Sequence, residues 1–338
     1  MGRQPSTGKR LARRYDQFMD LHPSCPYCGD HADTADHIFP EFMGGKHKVP
    51  SCRECNSRFG HSFEAVVSDL FSKIHIYLAG NGLRLRVPLG RWKRAFDQDG
   101  ETYDIVAEQG GLRFLLSDPV VEIDEETRVL NARFGSEKQA RKVLSSIRKK
   151  YGVEAPVDIS ITPAIMPPIE LHFGQEAARL AMKMCSAQAS TLPAFRPDEL
   201  FLAGDRVKKY VGTATLDFRT HEWPERQPEP LAHVIYVERT NIGLRGIVKF
   251  FGVYQFYCRI GPPILGSSPA ARIGVLDPVE GIESFESVTC VDIPEAETEG
   301  TERAVQTGLS QWADRFRDAA VARGAQESLW IKYKPSSE

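Results

Sequence analysis

Residues 25–28 read CPYC, and residues 34–56 read TADHIFPEFMGGKHKVPSCRECN. Together they hold two C-x-x-C pairs, Cys25/Cys28 and Cys52/Cys55, separated by 23 residues. Matched pairs in a chain without a secretory leader point to metal rather than to disulfides. Four thiolates complete a tetrahedral zinc shell and leave no open position, so such a site is structural. Gly29 supplies the tight turn of a knuckle around the metal. Helical periodicity starts at the second pair, which puts Cys55 in a helix's first turn. Knuckle, hairpin and ligand-bearing helix make a treble-clef-like module.

The material between the pairs carries a second chemistry. Asp36 and His37 stand side by side at the end of the expected first hairpin strand. Pro40 and the pair Gly44-Gly45 follow as turn residues. Asn56 comes directly after a zinc ligand that fixes its place. A carboxylate, an imidazole and an amide on one stapled scaffold can share a second cation, and hard oxygen donors suit Mg²⁺ or Mn²⁺. The competing readings are a structural His37 and an Asn56 that merely caps its helix. His61 is an alternative ligand or phosphate contact, against a surface histidine. Arg53 and Arg58 flank Asn56 as phosphate clamps, against a solvated helix face.

The paired cysteines, D-H-I-x-P, G-G and C-N, in that order over residues 25–75, resemble the HNH endonuclease superfamily. The resemblance implies a ββα-metal site. In it His37 is the general base, and Asp36 and Asn56 hold the catalytic ion, most simply Mg²⁺. The middle position of the family motif falls on His47, where asparagine is frequent. His47 is then expected to brace the loop that aims His37.

The rest of the chain reads as α+β. Phe63, Val66, Val67, Leu70, Phe71 and Ile74 recur at helical spacing, and AGNG at 79–82 ends that element. LRLRV (83–87) alternates as a strand, followed by TYDIVAE, LRFLL, VVEID and RVLNARF. Residues 124–127 are a turn between the last two. Ser136 and Gln139 form a capping box for a helix that Gly152 ends. Its polar face carries Lys138, Arg141, Lys142, Arg148 and Lys149, either a phosphate-following ridge or a solvated face. A proline-bearing connector runs from 155 to 170. Beyond it come a buried small-residue helix (GQEAARLAMKMCSAQAS), a short helix over 198–210, and strands TATLDFRT, HVIYVER, LRGIVKFFG and YQFYCRI, the last three as a meander. Residues 261–274 read as a loop, 295–302 as an acidic stretch, and 302–323 as a final amphipathic helix. The expected units are a basic lead-in (1–20), the nuclease module (21–80), an α+β domain (81–165) and a C-terminal α+β region (166–338).

The chain has 338 residues, 41% hydrophobic and 26% charged, with a net charge of −2. This is ordinary for a globular protein and gives no bulk attraction to nucleic acid, so binding must use local patches. Within the module those are Lys46, Lys48, Arg53 and Arg58. Cys185, Cys258 and Cys290 are scattered and read as buried small hydrophobes. No apolar run reaches the ~18 residues of a membrane span, and the basic N-terminus lacks an apolar stretch, which places the protein in the cytoplasm. The expectation is therefore a metal-dependent endonuclease acting on DNA, with restriction or phage defence as the context the resemblance suggests. The alternatives are an idle zinc module that binds nucleic acid, and an RNA-cleaving enzyme. The region beyond Gly82 is expected to select or license the substrate, to sense a ligand, or to form a homodimer.

Overall fold

A computed structural model of the chain describes residues 23–98, 100–108, 111–118, 120–124, 129–133, 137–151, 169–171, 174–196, 200, 214–216, 228–263, 266, 268–293, 302–326 and 331–333. The lead-in, the connector, the residues of the capping box before 137, Gly152, the short helix over 198–210 and the acidic stretch lie outside these residues, in whole or nearly so. Helix and antiparallel sheet are mixed, as expected.

The module opens with the Cys25–Cys28 knuckle. Strands β1 (Thr34–His37) and β2 (Lys48–Ser51) then pair antiparallel. Helix α1 (Arg53–Gly60) follows, then α2 (Phe63–Gly80). The helical periodicity that starts at the second cysteine pair is split between two helices, which break at His61 and Ser62. Gly60 has little helix propensity, and the Ser62 hydroxyl donates to the Arg58 carbonyl. On α2, Phe63, Val67, Phe71, Ile74 and Leu78 are buried at three- and four-residue steps, while Val66 is 58% exposed.

Residues 83–87 are not a strand. Leu83 and Val87 are buried and Arg84 and Arg86 exposed, so the alternation is real. However, the segment has no ladder, and the Arg86 amide donates to the Pro278 carbonyl instead. Alternation reports one buried face; it does not supply a neighbouring strand. The first strand here is β3 (Arg91–Gln98), which the pattern did not mark. It pairs with β4 (Glu101–Glu108), and β4 with β5 (Gly111–Leu116). A hairpin of β6 (Val120–Asp124) and β7 (Val129–Arg133) precedes helix α3 (Glu137–Tyr151).

After β8 (Ile169–Leu171) comes α4 (Gln175–Ala189), buried from Leu180 through Ala189. It lies between α2 and a six-stranded sheet. That sheet holds β9 (Ala214–Leu216), β10 (His233–Thr240), β11 (Gly243–Phe250), β12 (Tyr254–Gly261), β13 (Ala270–Asp277) and β14 (Ile282–Val288), in the order β14-β13-β10-β11-β12-β9. The meander β10–β12 is as read. The sequence predicts a loop over 261–274, but residues 270–274 begin β13, and β14 carries no clear sequence signal. Glycine is needed at 274 in β13 because a Cβ there would press on the Phe285 ring. Strand β10 is buried along its whole length. Ile235 and Val237 face the core shared with α4, while Val234 and Tyr236 belong to a cluster on the opposite face. Helix α5 (Glu302–Ala322) and β15 (Ile331–Tyr333), parallel to β8, complete the described elements. Among the described residues no helix is long and apolar enough to cross a membrane.

The main core runs without interruption from Cys25 and Tyr27 through α2 and α4 to Trp312 and Phe316. At its centre two histidines lie among Phe71 and Phe251. His233 Nδ1 accepts from the Phe251 amide, which leaves its Nε2 without a partner among the described residues, and neither nitrogen of His75 has one there. Burial lowers the His75 pKa to about 3, and burial with His75 as neighbour holds His233 well below its ordinary value. Both are neutral when folded and titrate near 6.5 when unfolded. The unfolded state therefore binds more protons below that pH, and the stability they support falls as pH drops from about 6.5 toward 3. Each contributes a slope of up to about 1.4 kcal/mol per pH unit. Denaturant unfolding between pH 7 and 5 should show the loss, and His75→Phe should flatten the slope by one proton's worth.

Candidate nuclease and zinc sites

The four cysteine sulfurs lie within 4.8 Å of one another. Ligands about 2.3 Å from a tetrahedral zinc are roughly 3.8 Å apart, so the quartet is the right size for that ion. The local fold holds it together. The Gly29 amide donates to the Cys25 carbonyl, with Gly29 at φ 78°, which closes the knuckle. Cys52 caps α1, its sulfur accepting from the Cys55 amide at 3.4 Å. The sulfurs cannot ionise independently. The hydrogen bond from Cys55 pulls Cys25 down to about 5, burial pushes Cys28 up to about 12, and the bond to Cys25 pushes Cys55 up. A divalent cation is what would let all four become thiolates.

Asp36 and His37 end β1, and Asn56 lies on α1 one residue past Cys55. Cys52 already caps that helix, so Asn56 is not its cap. Its Nδ2 donates to the Ala35 carbonyl at 3.2 Å. That bond fixes the amide's orientation and leaves Oδ1 for another partner. Asp36, His37 and Asn56 line one cleft of about 470 Å³. Pro40, Glu41, Phe42, Glu64, Pro88 and Lys183 complete its wall. Burial is the main cause that lowers the His37 pKa, with Lys48 adding to it, so the imidazole is neutral near pH 7.

Asp36 is 4% exposed, and both of its carboxylate oxygens have partners. Its Oδ2 accepts from the Tyr27 hydroxyl at 2.8 Å, and Lys183 Nζ donates to Oδ1 at 2.8 Å. Lys183 also donates to Glu64. Burial pushes the Glu64 carboxyl up, and the Lys183 ammonium pulls against it. The cleft thus presents three carboxylates, Asp36, Glu41 and Glu64, against one ammonium. With the Asn56 amide oxygen they line the cleft as hard oxygen donors, the type that suits Mg²⁺ or Mn²⁺, while among the described residues the cysteine quartet is the one group of His, Cys, Asp or Glu ligand atoms already close enough together to hold an ion.

The glycine pair shapes the loop beneath His37. Gly44 sits at φ 98°, and a Cβ on Gly45 would lie 1.8 Å from the Phe39 carbonyl oxygen. The Ile38 amide donates to the His47 carbonyl, so residue 47 braces the loop through its backbone. Its ring points elsewhere: Nδ1 lies 2.7 Å from Glu283 on β14, and the ring packs on Phe285. Glu283 also accepts from the amides of Lys46 and His47.

Other expected residues lie off the cleft. His61 follows α1 and is exposed, with Nδ1 against the Ser57 carbonyl. Lys46 Nζ donates to the Gly281 carbonyl, and Arg53 is held by Asp33. Lys48 and Arg58 are exposed. On α3, Arg141, Lys142 and Lys149 are exposed, while the Lys138 side chain lies outside the described residues. Tyr27, Glu41, Glu64 and Lys183 were not singled out from sequence. The signal for Lys183 was there: it is a lone lysine inside a helix of small and apolar residues, and a buried ammonium requires partners.

Residues 25–72 match the sequence model of a family described as HNH endonuclease. No curated protein and no solved structure matches the chain. The family recognition therefore stands on the module, 48 residues long, that carries the cysteine quartet and all of the cleft's lining except Pro88 and Lys183.

Zinc analysis of purified, folded chain should return about one zinc per chain, and Cys28→Ser should lower both that content and the melting temperature, because structural metal binding is folding free energy in so small a module. A folded preparation well below that content would exclude the site.

Proposed function

We propose that this chain is a metal-dependent endonuclease that hydrolyses phosphodiester bonds in DNA. The observation that carries the reading is the convergence of a neutral-biased His37, the Asp36 carboxylate and the Asn56 amide on one cleft. The HNH match over residues 25–72 supports it.

In this reading His37 Nε2 or Nδ1 takes the proton of the attacking water; its lowered pKa keeps the ring unprotonated near neutral pH. Asp36 and Asn56 would hold a Mg²⁺ or Mn²⁺ ion, which when bound would supply Lewis-acid stabilisation of the phosphate and leaving oxygen. Zinc in its closed thiolate cage has no part in the chemistry. Three carboxylates around the cleft would repel a phosphate unless a cation neutralises them, so the acidic lining agrees with a required divalent ion. The exposed Lys48 and Arg58 offer phosphate contacts that position a backbone without reading bases. The surface of α3 that bears Arg141, Lys142 and Lys149 extends this set.

His37→Ala should cut cleavage of plasmid DNA by roughly 10²–10⁴-fold while zinc content and melting temperature stay at wild-type values. Asp36→Ala and Asn56→Ala should raise the Mg²⁺ or Mn²⁺ concentration needed for half-maximal cleavage. Cleavage of structured RNA in place of plasmid would move the substrate to RNA, and cleavage by His37→Ala close to wild type would sink the base assignment. Charge reversal at Arg141, Lys142 and Lys149 should weaken DNA binding and flatten its salt dependence, with the rate at saturating DNA little changed. Unchanged affinity and slope would remove α3 from the interface.

A further inference from the structure

Lys183 lies outside the family-matching segment, at the middle of α4, yet its ammonium reaches the floor of the nuclease cleft. It is 1% exposed. Its partners are the Asp36 carboxylate, at 2.8 Å from each oxygen, and the Glu64 carboxylate at the first turn of α2. Three features separate this contact from an ordinary buried ion pair. Both acceptors line the cleft together with His37 and Asn56. Asp36 is the carboxylate that the nuclease reading assigns to the divalent ion. The helix that carries Lys183 is buried between α2 and the six-stranded sheet, so the lysine is anchored to the part of the chain that the module lacks.

We propose that Lys183 is a tethered counter-cation of the nuclease site, which competes with the divalent ion for the Asp36 and Glu64 oxygens and thereby sets the metal affinity. The inference rests on the nuclease reading of the cleft. The physics is direct. A carboxylate accepts hydrogen bonds and binds cations through the same lone pairs, and Asp36 already spends part of them on Tyr27 and Lys183. A unit positive charge within 3 Å of a metal-binding carboxylate opposes a second cation, and low local dielectric strengthens that opposition. Lys183 also defines Glu64 as a member of the site. The sequence gives Glu64 no motif, but the shared ammonium draws it to Asp36, where its oxygens add to the donor set. The distal region would then govern the nuclease through metal occupancy. Any movement that withdraws α4 from Asp36 would favour metal binding, and any that presses it home would oppose it.

The test is Mn²⁺ binding to the full zinc-loaded chain, measured by calorimetry and by the electron paramagnetic resonance of free Mn²⁺, without DNA. Lys183→Met keeps the length of the side chain and removes its charge; it should bind Mn²⁺ about tenfold more tightly or better, since each tenfold is about 1.4 kcal/mol of removed repulsion. Lys183→Arg keeps the charge and should bind as wild type does. Glu64→Gln should bind more weakly than wild type. Should Lys183→Met fail to fold, Lys183→Met on the Glu64→Gln background leaves one carboxylate facing an amide donor, and it should bind more tightly than Glu64→Gln alone. Equal or weaker binding after loss of the Lys183 charge, in a protein that keeps its zinc and its Asp36-dependent Mn²⁺ site, would overturn the counter-cation role alone. Mn²⁺ binding that Asp36→Asn leaves unchanged, or no binding in any variant, would overturn the nuclease reading of the cleft and this inference with it.

Discussion

Four cysteine sulfurs within 4.8 Å are the constraint on which the module depends. Without a cation their ionisations oppose one another, and the contact between the knuckle and α1 is left to packing such as that of Tyr27 on Phe59. With one, Cys52 and Cys55 fix the start of α1 against the Cys25–Cys28 turn. The placement of Asn56 against β1 follows from that anchor. Asn56 is one residue past a ligand, and its amide reaches back to Ala35 at 3.2 Å. That bond sets α1 against β1, whose last two residues are Asp36 and His37. The staple and the cleft share no atom, yet the first sets the spacing of the second. The module's apolar residues pack into the core of the larger region, and the staple adds a fixed spacing between the knuckle and α1 to that packing.

A second set of contacts ties the module to the larger region. Glu283 on β14 accepts from the amides of Lys46 and His47 and from the His47 ring. Phe39 and Phe285 pack 5.9 Å apart beneath it. The loop that follows His37 is therefore clamped from the sheet side, while Lys183 holds Asp36 from the α4 side. His47 illustrates how a motif position can keep its place and change its partner. Its backbone still receives the Ile38 amide, as a loop brace requires, but the ring has been turned to a glutamate that lies more than two hundred residues away in sequence.

Much of the module was legible because its constraints are local. Paired cysteines, a glycine pair and a histidine beside an aspartate each act over a few residues, and each is found where its spacing placed it. The meander β10–β12 was legible for the same reason, since its turns are short and its strands are runs rich in β-branched and aromatic residues. The errors came where a pattern needed a distant partner. LRLRV alternates because Leu83 and Val87 cover the core, not because a strand lies beside it. Strand β13 was hidden in a proline- and glycine-bearing stretch whose strand character depends on β10 and β14 as neighbours. Tyr27, Glu64 and Lys183 escaped notice because their significance is a meeting at Asp36, and sequence gives no distance between positions 27, 36, 64 and 183. Only the odd lysine in ARLAMKMCSAQA was visible, as a charge in a helix that reads as buried.

The meeting at Asp36 also bears on what such a cluster is for. A buried ion pair is a weak source of stability, because the desolvation of its members offsets their attraction; well-packed apolar residues serve stability as well or better. What it does supply is geometry. Lys183 can be satisfied only where two carboxylates converge, and Asp36 can be buried at 4% exposure only where donors such as Tyr27 and Lys183 meet it. The pairing therefore fixes α4 against β1 and α2 in one arrangement. On the nuclease reading, each oxygen that Lys183 uses in the cleft wall is one fewer for a divalent cation. The lysine's place beside His37 and Asn56 gives the larger region a direct hold on the charge of the site, through one side chain, with no need for any loop of the sheet to enter the cleft.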